Sequence, residues 1–184
     1  MKDEAHILSK ISRIGLLVFL VSLFNPGRSI AHPLDEFYQV TFITVGTNQA
    51  DFTVELYPGV LVAPQVLTLL DADGDDRISE EEAQAYAETF VNDLVVEVDG
   101  TTVNPTIERT EIPPPLEIRA GVGVIRLSLR ADLPPATGAH RLFYENNHFA
   151  DRGIYIVNAI SDDPEQVEIS NQNRDVFQKS VVLD

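Results

Sequence analysis

From Phe37 to Val45 the chain reads FYQVTFITV, a β-rich run carrying Tyr38, Val40, Phe42 and Ile43, and from Ala50 to Tyr57 it alternates Phe52, Val54 and Leu56 against polar neighbours. Gly46-Thr47-Asn48-Gln49 supplies the turn between them, so the two runs predict a hairpin. The period then changes. After Pro58-Gly59, the stretch Val60 to Leu70 holds Pro64 followed by QVLTLL, which suits a short helix with proline in its first turn. Further on, Ala83, Tyr86, Ala87, Phe90, Val91 and Leu94 recur at three- and four-residue spacing, the mark of one buried helix face.

Beyond Asp93 the strand signals return. Leu94 to Val98 leads into Asp99-Gly100, the strongest short hairpin cue, and then into Thr101 to Ile112. Pro113-Pro114-Pro115 stops any ladder. Further strands are expected at Val122 to Leu129, Arg141 to Tyr144, Ile154 to Ile160, Val167 to Ser170 and Phe177 to Leu183, with the tyrosines and phenylalanines of the strands filling the core. Short strands separated by turn residues predict a mainly β fold, an antiparallel, Ig-like β-sandwich of residues 32–184, with two helices inserted after the first hairpin at about residues 60–93.

Residues 1–31 are expected to stand apart from that fold. Lys2, Lys10 and Arg13 precede the apolar run Ile14 to Phe24, and Asn25-Pro26-Gly27 breaks it before Ser29-Ile30-Ala31, the plan of a secretory signal cleaved after Ala31. The run is shorter than the ~20 residues that span a bilayer. The expected location is therefore periplasmic or extracellular. Cleavage would remove four basic and two acidic residues, leaving 9 and 27 and a net charge of −18 against −16 for the whole chain. So acidic a surface repels nucleic acid and attracts cations and basic partners. The chain has no cysteine, which excludes disulfides, thiolate metal sites and a cysteine nucleophile.

Between the two predicted helices lies DADGDDRISEEE, Asp71 to Glu82, with seven carboxylates in twelve residues. A twelve-residue calcium loop takes its oxygens from positions 1, 3, 5, 7, 9 and 12, the seventh through its carbonyl. Those positions are Asp71, Asp73, Asp75, Arg77, Ser79 and Glu82. Ile78 supplies the apolar residue that pins such a loop to a core, and Ser79 with Glu82 makes a Ser-x-x-Glu capping box for the outgoing helix. From Pro64 to Asp93 the sequence resembles the EF-hand family, which implies Ca2+ as the cofactor. It departs at position 6, where the family has glycine and this chain has Asp76. A solvated acidic turn held by Asx-type hydrogen bonds is the alternative, although it does not account for acids on alternate positions with glutamate at the twelfth. The chain has one methionine and no second complete loop, since Asn171 to Asp175 is followed by no glutamate at the twelfth position. A lone site in an exported protein predicts weak affinity and a structural role within a binding or interaction domain.

Three histidines remain to be placed. Cleavage would leave His32 at the amino terminus, where α-amine and imidazole could chelate copper or nickel with His140 and His148 as completing ligands. His32-Pro33-Leu34, Tyr144 to Phe149 and Arg152-Gly153 are similar to extracytoplasmic amino-terminal domains of bacterial nickel/cobalt-type transporters. That resemblance implies a metal-handling accessory role and a membrane transporter or other envelope protein as partner. No phosphate-binding glycine loop or nucleophile elbow is present, and Asp162-Asp163 beside Pro164 reads as a loop, so no enzyme is expected.

Overall fold

The computed structural model describes residues 35–134 and 138–184; the expected signal segment and His32 lie outside them. The first hairpin forms as expected, β1 (Phe37–Val45) pairing antiparallel with β2 (Gln49–Pro58) from Phe37↔Pro58 to Val45↔Ala50. Helix α1 (Ala63–Leu70) follows, with proline in its first turn, and then α2 (Glu80–Asn92). Asp99 and Gly100 both have positive φ (51° and 77°), the I′-type geometry that joins β3 (Leu94–Val98) to β4 (Thr101–Thr102). The remaining elements are β5 (Thr106–Glu111), α3 (Pro115–Arg119), β6 (Ile125–Asp132), β7 (Leu142–Asn146), β8 (Gly153–Ser161), β9 (Gln172–Arg174) and β10 (Ser180–Leu183).

The fold is mainly β, a sandwich of two five-stranded sheets in the orders β5-β6-β2-β1-β8 and β4-β3-β7-β10-β9. Every pairing is antiparallel except β1 with β8, which run parallel from Phe37↔Gly153 to Val45↔Ser161. Phe52, Val54, Leu56, Leu127 and Leu129 of the first sheet meet Val96, Tyr144, Val181 and Leu183 of the second in one core, and Phe52 stacks on Tyr144 at 5.7 Å. Val66, Leu70, Tyr86, Phe90 and Ile118 belong to the same core, which carries it from the sheets into the helices. Each such fully buried side chain contributes about 1.5–3 kcal/mol by leaving water.

Two edges are protected. β5 is an exposed edge strand bearing Glu108, Arg109 and Glu111, charges that discourage pairing with another chain. At β8 the carbonyls of Val157 and Ala159 accept from Arg174 Nε (2.6 Å) and Gln172 Nε2 (2.7 Å), so side chains of the opposite sheet cover that edge.

The expectations need three corrections, and one is met with an addition. Val167 to Ser170 forms no strand, because its groups are used locally: Val167 N–H donates to Asp163 C=O and Ser170 N–H to Asp184 C=O. Val176 and Phe177 stand exposed in the turn before β10 instead of beginning it. The triple proline ends the ladder and also opens the one-turn helix α3, where missing N–H groups cost nothing. Finally, β1 inverts its apparent pattern: Tyr38, Val40 and Phe42 face outward, while Gln39 and Thr41 face the core at 1% and 2% exposure. Gln39 is satisfied by Asn146 Nδ2 (3.0 Å) and the His148 carbonyl (2.7 Å), and Thr41 Oγ1 lies 2.9 Å from the Tyr144 hydroxyl.

Candidate metal centre

The loop from Asp71 to Glu82 is shaped by its own carboxylates. Asp73 Oδ1 accepts from Asp75 N–H (3.1 Å), Asp75 Oδ1 from Arg77 N–H (2.9 Å), and Asp71 Oδ2 from Asp76 N–H (3.1 Å). Gly74 (φ 74°) and Asp76 (φ 66°) both turn through the left-handed region. Asp76 thus adopts the conformation for which glycine is favoured, at a cost on the order of 1 kcal/mol. Arg119, at the end of α3, binds the Asp76 carboxylate and ties the loop's bend to a neighbouring element. Ile78 is partly buried and packs against the core.

Glu82 closes the loop. Its Oε2 accepts from Ser79 N–H (2.9 Å) and Ser79 Oγ (2.9 Å), while Ser79 Oγ accepts from Glu82 N–H (3.2 Å), completing the expected capping box. Its Oε1 reaches back ten residues to Ala72 N–H at 2.8 Å and also faces Asp73 N–H at 3.4 Å. These donors, the Ser79 backbone N–H and hydroxyl foremost, hold the Glu82 carboxyl below the usual glutamate range and keep it ionised. Glu80, Glu81 and Glu82 together fill the first turn of α2, where the helix dipole favours negative charge.

Of the six residues with ligand spacing, Asp71, Asp73 and Glu82 converge, each offering a carboxylate oxygen within 4.8 Å of the others. Asp75 stays outside this trio, with one oxygen on Arg77 N–H. Ser79 spends its hydroxyl on the helix cap, and Arg77 would act only through its carbonyl. The donor set is hard oxygen throughout, the chemistry calcium takes. Asp71 Oδ1 is buried and has no hydrogen-bond partner, a costly state for a carboxylate oxygen.

The histidines do not join this cluster, and among the described residues no metal-like group contains one. His140 Nδ1 lies 2.7 Å from Asp99 Oδ2 at the β3–β4 turn. His148, 1% exposed, sets Nδ1 2.7 Å from Asp93 Oδ2 and Nε2 3.1 Å from the Tyr86 hydroxyl. Burial pushes the His148 pKa down, opposed by the Asp93 carboxylate. Its carbonyl also accepts from the Tyr155 hydroxyl at 2.9 Å, and burial raises the Tyr155 pKa to about 12. Neither the Asp93 and Tyr86 contacts of His148 nor the Arg119–Asp76 pair leaves a sequence signal, because the partners lie dozens of residues apart.

Comparison with known proteins gives no relative: no protein-family model, curated protein or solved structure matches the chain. Among the described residues no helix is long and apolar enough to cross a membrane.

Proposed function

We propose that this is an exported calcium-binding protein in which one EF-hand-like loop holds Ca2+ in a structural role, within a domain that engages another envelope protein. The observation that carries this reading is the convergence of Asp71, Asp73 and Glu82, each with a carboxylate oxygen within 4.8 Å of the others. Asp75, the Arg77 carbonyl and Ser79 complete the ligand set by position, Ser79 directly or through water. The ion neutralises carboxylates that otherwise face one another and fixes the start of α2 relative to the end of α1. Like charges brought this close in a folded loop repel, and the dication turns that repulsion into attraction.

A single unpaired loop with a non-glycine sixth position fits the weak extracellular affinity range, ~10⁻⁴ to 10⁻³ M. Isothermal titration of chelator-stripped protein with calcium and with magnesium tests the reading. One saturable site for calcium is expected, with Asp71→Asn and Glu82→Gln each abolishing it while circular dichroism stays unchanged. Folded protein that takes up no calcium at ten-millimolar concentration would refute it.

A further inference from the structure

The outward face of the first sheet divides into two halves of opposite character. On β2 and β6 it is mostly charged and internally paired, apart from Tyr57 beside Tyr38: Arg126 Nε meets Glu55 Oε1 at 2.9 Å, and Arg130 Nε meets Asp51 Oδ1 at 2.8 Å. On β1 and β8 it is apolar. The parallel register sets Tyr38 beside Ile154, Val40 beside Ile156, Phe42 beside Asn158 and Thr44 beside Ile160. Phe42 and Ile160 are 45% and 63% exposed and the other four apolar residues are half-buried. Their arrangement follows from the inverted parity of β1, which buries Gln39 and Thr41 and turns the apolar members of the strand outward. A contiguous outward apolar stripe with a polar border is the anatomy of an interaction surface.

Its dimensions limit what can cover it. Six residues of strand at ~3.3 Å and two strands ~4.8 Å apart give a stripe about 20 Å long and 10 Å wide. That matches one helix of about 14 residues, ~20 Å long and 10–12 Å in diameter. It falls well short of the ~800 Å² per partner that a stable dimer needs. A second copy would also bring a chain of net charge −16 against an equal one, whereas the same field attracts a basic segment. Strand addition at this edge is blocked where Arg174 and Gln172 already occupy the β8 carbonyls.

We propose that the outward face of β1 and β8 is the docking surface for an amphipathic helix of a partner protein whose apolar side is flanked by lysine and arginine. The apolar side lies along Tyr38, Val40, Phe42, Ile154, Ile156 and Ile160, and the basic flanks meet the field of a chain of net charge −16. The test is an NMR titration of isotope-labelled protein, at physiological salt, with a 14-residue amphipathic peptide carrying a leucine face and lysine flanks. A second peptide has the same face and glutamate flanks.

Saturable shifts confined to β1 and β8 amides are expected for the lysine peptide and none for the glutamate peptide. Phe42→Asp/Ile160→Asp should weaken binding at least about tenfold. The milder Phe42→Ser, with an unchanged melting temperature, should weaken it in the same direction. Leu116→Asp, changing an exposed leucine on α3, should leave binding intact. The proposal is overturned if both peptides bind alike, if Leu116→Asp weakens binding as much as the face variants, or if shifts map elsewhere. Sedimentation showing a dimer that Phe42→Asp dissolves would assign the face to a second copy and overturn it too.

Discussion

Replacing His148 with phenylalanine separates the roles its ring plays. The imidazole meets Phe90 and Phe149 edge-on at 5.1 and 4.8 Å, and both ring nitrogens are engaged. Asp93 can only accept, so the proton of the neutral ring sits on Nδ1, and Nε2 accepts from the Tyr86 hydroxyl. Phenylalanine keeps the aromatic bulk but leaves that hydroxyl, on a residue 1% exposed, without a partner. An orphaned buried hydroxyl costs about 1–3 kcal/mol. Asp93, whose side chain is 41% exposed, can turn to water and adds little.

At 2–4 °C per kcal/mol for a chain of this size, His148→Phe should lower the melting temperature by about 2–12 °C. Adding Tyr86→Phe removes the orphan and should restore most of the loss, so the double mutant is more stable than His148→Phe alone. The pH dependence carries an independent sign. Burial holds the folded pKa below the unfolded value of about 6.5, so the unfolded chain takes the proton first. Stability from the neutral ring is complete above about 6.5 and falls as pH drops from there toward the folded value. Urea denaturation of wild type and His148→Phe at pH 7.5 and 5.5 measures both effects. The reasoning fails if His148→Phe shows the same acid loss as wild type, or if Tyr86→Phe recovers nothing.

Three other perturbations follow from the loop and its cap. Calcium at ten times its dissociation constant should stabilise the protein by about 1.4 kcal/mol, raising the melting temperature by about 3–6 °C in scanning fluorimetry, and excess chelator should reverse it. Ser79→Ala should cost about 1 kcal/mol in chelator, because α2 loses its cap hydroxyl, and the loss should show in a chemical melt. Arg119→Ala should cost under about 1 kcal/mol, since the Asp76 pair is largely exposed, and the difference should shrink in high salt.

Features encoded within a few residues were legible in the sequence. The Gly46 to Gln49 turn, the Asp99-Gly100 hairpin, Pro64 in the first turn of α1 and the Ser79–Glu82 capping box all form where local chemistry puts them. The parity of β1 was not legible. Tyr38, Val40 and Phe42 form as good a buried set as Phe37 and Ile43, and the groups that make Gln39 and Thr41 tolerable inside stand more than one hundred residues later, at Tyr144, Asn146 and His148. The parallel pairing of β1 with β8 leaves no local trace for the same reason. Val167 and Ile169 alternate like a strand, yet Asp163 and Asp184 take the N–H groups of Val167 and Ser170 that a ladder would use. Within the candidate site, spacing named all three converging carboxylates but could not show that Asp75 stays outside them.

Helix α2 joins two polar arrangements that differ in what sustains them. At its end, Asp93 and His148 are held by a packed core in which Phe90 and Tyr86 are fully buried. At its start, the N–H groups of Ala72, Asp73, Asp75, Asp76 and Arg77 depend on loop carboxylates that repel one another. Loss of a cation should therefore loosen the loop without loosening the sandwich. Hydrogen exchange in calcium and in chelator should differ at residues 72–82 and at the first turn of α2, while amides of β1, β2 and β6 exchange alike at temperatures well below melting. Equal loss of protection in the loop and the strands would mean that the ion acts on global unfolding alone, and that the His148 end does not hold α2 in place by itself.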